Sequence, residues 1–194
     1  MLTLESKKKV VGVLLAGGLA RRMGHGEKPL KMLGNRFIID WVLERATPQV
    51  DQLILNVNSN SELFSRFNLP LISDTIEGHL GPLAGILTGL QWTRCNVPDA
   101  DWVASFATDA PFFPKDMIQK FLDATKDEEV EIVCACSRGR SHPVFALWST
   151  SLMEDLEHAI TENEIRKIDK WTENHNICYI DFDGFDSRID PFLN

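Results

Sequence analysis

Residues Val10 to Leu15 (VVGVLL) are almost wholly apolar and rich in β-branched side chains, and they run directly into Ala16-Gly17-Gly18. A run this short with no polar face fits a strand buried on both sides of a sheet. Lys7, Lys8 and Lys9 precede it, so the start of the chain superficially imitates a signal peptide. The apolar stretch is too short for that role, and a first buried strand explains it better, with the lysines as a solvated chain start.

The rest of the pattern alternates strands with helices. Ile39, Val42, Leu43 and Ala46 recur at helical spacing and Pro48 closes that helix. Residues 52–57 (QLILNV) read as a second strand, Ser61 opens a short helix, and Leu71-Ile72 form a brief third strand. Gly81-Pro82 then introduces a helix with an apolar stripe of Leu83, Ile86, Leu87 and Leu90; proline stands in its first turn, where a missing N–H costs nothing. Residues 102–107 (WVASFA) read as a strand and 114–125 as a helix. Residues 131–136 and 144–148 form a strand pair around Arg138-Gly139-Arg140. Helices over 152–160 and 165–171 and a strand over 177–182 complete the order. The expectation is one α/β domain with a mostly parallel central sheet, in which ligands bind beyond the carboxyl ends of the strands.

Composition agrees with a single core: the 194 residues are 44% hydrophobic and 25% charged. A net charge of -8 argues against a nucleic-acid partner, which needs a basic face. No apolar run approaches the roughly 20 residues of a membrane span. Cys95, Cys134, Cys136 and Cys178 form no CxxC pair, and buried free thiols in a reducing cytoplasm account for them.

An acidic protein that handles phosphates must concentrate its positive charge locally. Residues 15–28 (LAGGLARRMGHGEK) do so, placing Gly17, Gly18, Gly24 and Gly26 beside Arg21, Arg22 and Lys28. Glycines let backbone N–H groups converge on an anion, while arginine and lysine neutralise it. The loop fits neither GxxxxGK[ST] nor GxGxxG. It is expected to hold a nucleoside triphosphate.

The segment LAGGLARRMGHGEKPL resembles the N-terminal signature of the molybdenum cofactor guanylyltransferases, with Glu27 where an aspartate is usual. That resemblance implies a Rossmann-like nucleotidyltransferase fold over residues 1–194. It also implies GTP as substrate, with Leu15, Ala16, Gly17 and Lys28 at the nucleotide and Arg22 matching the arginine before Met-Gly. Related cytidylyltransferases tend to carry LAAG, so Gly17-Gly18 points toward guanine. Further matches are Asn56 in LNVN and Asp74 in LISD, at the base and ribose, and GPLAGIL from Gly81, with no catalytic role. Asp109 in FATDAPF is the implied magnesium ligand.

The implied reaction moves GMP from GTP to the terminal phosphate of the molybdenum-pterin cofactor, releasing pyrophosphate. Lys28, Arg22 and Asp109 would carry the catalysis and Mg2+ would be the cofactor. Transient contact with molybdoenzymes or cofactor-insertion proteins and a cytoplasmic location follow from the same resemblance. His142 in RSHP is placed on the acceptor side and not as a base. Residues 190–194 (DPFLN) match only the beginning of a family motif of the type F-x-N-x-N-T-P, so the acceptor half is expected to be incomplete. A cytidylyltransferase, a sugar-1-phosphate nucleotidyltransferase, or a carrier of the pterin without chemistry are the alternatives.

Overall fold

The computed structural model describes residues 8–16, 27–76, 81–127, 129–183 and 190–193. In chain order the elements are β1 (Val10–Leu15), a hairpin of β2 (Met32–Leu33) and β3 (Arg36–Phe37), α1 (Ile38–Ala46), β4 (Gln52–Asn56) and β5 (Leu71–Ile72). They continue through α2 (Pro82–Asn96), β6 (Trp102–Ala107), α3 (Met117–Ala124), β7 (Ile132–Ser137), β8 (Arg140–Ser149), α4 (Met153–Thr161), α5 (Ile168–Thr172) and β9 (Ile177–Asp181).

Among the described residues, seven strands form one sheet in the order β5-β4-β1-β6-β8-β7-β9. Pairing is parallel except for β8, which runs antiparallel to both β6 and β7. The carboxyl ends of the other six strands therefore share one edge, and β8 begins there. One face packs against α1 and α3 through Ile39, Val42, Met117 and Phe121, the other against α2, α4 and α5 through Leu83, Leu87, Leu156 and Trp171. Val11, Val13 and Leu14 of β1 are fully buried between these layers, as the absence of a polar face requires.

Several elements differ from the pattern reading. The short helix at Ser61 is a 3-10 helix (Ser61–Phe67) held between Asn60 and Asn68, both left-handed. Pro48 opens a further 3-10 turn, Thr47–Gln49, after α1. Strand β8 starts four residues before Val144, because Arg138 and Gly139 take positive φ in a tight hairpin that keeps residues 140–142 paired with β7. Lys8 and Lys9 are engaged rather than merely solvated: Lys8 Nζ donates to the Thr125 carbonyl at 2.6 Å, and Lys9 pairs with Asp99 at 3.0 Å. Cys134 is buried, and burial pushes its thiol up to about 12, but Cys95 is exposed on the last turn of α2.

Helix α2 carries more than an apolar stripe, since every residue from Leu83 through Leu90 is buried. It lies between the sheet and α4, and Gly85 and Gly89, one turn apart, let it approach. A Cβ at Gly85 would stand 2.7 Å from both Asn56 Oδ1 and Leu15 Cδ2, and one at Gly89 would stand 3.2 Å from Val13 Cγ1. Gly85→Ala is accordingly expected to cost about 1–3 kcal/mol through overpacking. Urea denaturation checks this; a variant as stable as the parent would mean that α2 tolerates displacement.

Candidate active site

Strand register sets the site. Ile72, Asn56, Leu15 and Ala107 stand side by side across β5, β4, β1 and β6. Asp74, Asn58 and Asp109 each lie two residues beyond that row. Two bonds extend the ladder past it: Ala16 N–H donates to the Asn56 carbonyl at 3.0 Å, and the Thr108 hydroxyl donates to the Leu15 carbonyl at 3.0 Å. The backbone leaving β1 toward the glycine loop is thus tied to the strand on either side.

The distal end of the loop is tied as well. Glu27 Oε1 accepts from Asn60 Nδ2 at 2.8 Å and from the Ser59 hydroxyl at 3.2 Å. Lys28 Nζ meets Asp109 Oδ2 at 2.8 Å, with side-chain exposures of 43% and 29%. Solvent reaches both partners, so the contact screens two charges at an open edge and locks nothing into a dry interior. Proline at position 29 is buried under a single 3-10 turn, which aims Lys28 at β6.

On the β4–β5 side, Asn56 is 2% exposed and its Nδ2 donates to Asp74 Oδ1 at 2.9 Å. Asn58 Nδ2 donates to Asp74 Oδ2 at 2.6 Å, and Asn58 Oδ1 accepts from the Asp74 N–H at 2.8 Å. Both oxygens of one carboxylate are therefore oriented by neighbouring asparagines. Burial of Asn56 means that it presents Asp74 instead of a surface of its own. Leu15, Ala16, Lys28, Asn56, Asp74 and Asp109 thus line the same edge of the sheet; Gly17 and Arg22 lie outside the described residues.

Sequence reasoning missed Asn58, Gly85 and the anchoring task of Glu27. Asn58 follows Asn56 with the period of a strand, a usable signal, whereas the Gly85 contact depends on packing between distant segments. His142, expected on the acceptor side, stands at the same edge, at the start of β8. Its Nε2 lies 2.7 Å from Ser137 Oγ, and its ring stacks on Phe192 at 4.6 Å. Burial pushes the imidazole below its ordinary 6.5, although Asp190 pulls the other way. Asp190 in turn stays below its ordinary 3.8: burial acts to raise it, but the Phe192 N–H and Ser137 hydroxyl bonds, with the charges of His142 and Arg138, outweigh that.

Among the described residues no group of three or more His, Cys, Asp or Glu could cage a metal ion. A carboxylate at the sheet edge suits a hard cation that keeps water and takes its other ligands from phosphates. Asp109 meets that description. No helix among the described residues is long and apolar enough to cross a membrane.

The profile of the MobA-like NTP transferase domain matches residues 12–176. A molybdenum cofactor guanylyltransferase of Nitrobacter hamburgensis is 42% identical over 94% of this chain and 87% of its own. One from Haemophilus influenzae is 38% identical over 87% of this chain and 85% of its own. The crystal structure of molybdopterin-guanine dinucleotide biosynthesis protein A from Archaeoglobus fulgidus aligns with a TM-score of 0.76 at 26% identity, covering 95% of this chain and 91% of that one.

The lowered imidazole fixes a sign for pH dependence. As pH falls below 6.5 the unfolded chain takes up a proton at His142 that the folded chain resists, so folding stability declines until the native group also titrates. Denaturation at about pH 7.5 and about pH 5.5 is expected to show a smaller loss for His142→Gln than for the parent. Equal losses would contradict the part-buried, neutral ring.

Proposed function

Because the chain belongs to the molybdenum cofactor guanylyltransferase family and carries its MobA-like NTP transferase domain, we propose a role for each residue at the strand ends. The protein transfers GMP from GTP to the terminal phosphate of the molybdenum-pterin cofactor, and residues 1–194 act as one nucleotidyltransferase domain. An oxygen of the acceptor phosphate attacks the α-phosphorus, the bond from that phosphorus to the bridging oxygen breaks, and pyrophosphate leaves. The nucleophile is already an anion, so no strong base is required. Repulsion between two highly charged reactants is the obstacle, and positioning with charge neutralisation removes it.

The observation that carries this reading is the 2.8 Å contact between Lys28 and Asp109, which brings the end of the glycine-rich segment onto the end of β6. The contact holds a cation for phosphate oxygens and a carboxylate for a divalent ion at one point of the edge. On binding, Lys28 exchanges the carboxylate for the triphosphate and offsets the charge gathering on pyrophosphate. Arg22 supplements it from within the loop. Asp109 would hold the Mg2+ ion, which supplies polarisation of the α-phosphate when bound. Leu15, Ala16 and Gly17 present backbone to the nucleotide, and Asn56 presents Asp74 to its ribose or base side.

Lys28→Ala and Asp109→Ala are each expected to lower guanylyl transfer by about 10²–10³-fold without loss of folded structure. Circular dichroism and pyrophosphate release measure the two together, and near-normal transfer by either variant would defeat the assignment. Thermal shifts with magnesium and GTP, CTP, ATP or UTP are expected to be largest for GTP, because a ligand stabilises by its own affinity. Preference for CTP would reassign the chemistry to cytidylyl transfer.

A further inference from the structure

The triphosphate residues occupy the ends of β5, β4, β1 and β6, which leaves the edge over β8, β7 and β9 for the second reactant. That half carries a hydrogen-bonded cluster of Ser137, His142 and Asp190. The Ser137 hydroxyl, at the end of β7, donates to Asp190 Oδ1 at 2.8 Å. Serine has one hydroxyl proton, so its 2.7 Å contact with His142 Nε2 must be an Nε2–H donating to Oγ. The order of donation is thus His142 to Ser137 to Asp190, and it fixes the tautomer of the neutral ring.

Asp190 also accepts the Phe192 N–H at 3.0 Å, folding residues 190–192 into a turn whose aromatic ring lies on His142. Phe192 is 5% exposed and touches Phe145 at 5.0 Å; Phe145 touches Phe113 at 5.4 Å, and Phe113 touches Phe106 at 5.3 Å. Phe106 and Phe113 bracket Asp109 in sequence, so continuous ring packing joins the cluster to the catalytic loop. The strand is shaped for this. The β7–β8 ladder passes from Cys134↔Ala146 to Ala135↔His142, leaving residues 143–145 as a bulge with Pro143, which has no N–H to waste, at its start.

We propose that His142 and Ser137 are positioning residues that fix residues 190–192 as the wall of the acceptor half of the site, setting affinity for the phosphate-bearing acceptor without affecting GTP. This inference rests on the guanylyltransferase reading. Among the described residues, the hydrogen bonds and ring stacking of these two side chains are with each other, Asp190 and Phe192. The rings from Phe145 to Phe106 stay in place when either is truncated, so the two halves are expected to separate kinetically.

Guanylyl transfer measured with GTP and molybdenum-bound molybdopterin varied in turn tests it. His142→Ala and Ser137→Ala are expected to raise the acceptor KM roughly tenfold, the size of one lost hydrogen bond with its stranded partner. The GTP KM, which reports that the fold is intact, should stay within about twofold. His142→Gln, whose side-chain amide reaches as far as Nε2, is expected to restore most of the acceptor KM. An unchanged acceptor KM in both alanine variants, an equal rise in the KM for GTP, or no rescue by glutamine would overturn the positioning role in an active enzyme. Failure of the parent protein to transfer guanylyl at all would instead strike the underlying reading, and the inference with it.

Discussion

Strand β1 is held in parallel register between β4 and β6, and the site follows from that pairing. Three of its side chains are fully buried, each contributing about 1.5–3 kcal/mol, and both of its faces are covered by helices. Register then delivers Asn56, Leu15 and Ala107 to one row, and the residues just beyond this row are those with polar chemistry to offer. Gly85 lets α2 press on the row from one side, close enough that Asn56 and Leu15 leave no room for a methyl group. A slip of one residue between β1 and β6 would separate Lys28 from Asp109, and one between β4 and β5 would separate Asn56 from Asp74.

Charge distribution complements that geometry. A chain of net charge -8 repels a triphosphate at long range, so binding needs cations concentrated where the backbone also turns its N–H groups toward the ligand. Lys28 is drawn to the edge by Asp109, and Asp74 is oriented by two amides instead of a second cation. Fixed dipoles and a half-exposed ion pair leave the edge open to solvent, and on the proposed reading Lys28 and Asp109 exchange partners when substrate arrives.

Much of this was legible in the residues. The double-sided burial of β1 followed from its lack of a polar face, and Asp109 could be placed because a strand ended two residues before it. What stayed hidden depended on contacts between distant segments. No local pattern reports that Gly85 faces Asn56, or that Glu27 is fastened to Ser59 and Asn60. The early start of β8 was missed because Pro143 reads as a strand breaker, although a bulge accommodates it. Exposure of Cys95 was missed because cysteine is more often inside. The link between Ser137, His142 and Asp190 spans 53 residues and arises only when β7, β8 and the end of the chain meet at one edge.

A crystal structure with GTP and magnesium bound tests the central claim most directly. The account predicts the triphosphate against the glycine-rich segment, Lys28 turned from Asp109 to phosphate oxygen, the metal between Asp109 and the phosphates, and the guanosine beside Asp74. A triphosphate bound elsewhere, or one that leaves the Lys28–Asp109 contact intact with the metal remote from Asp109, would contradict it.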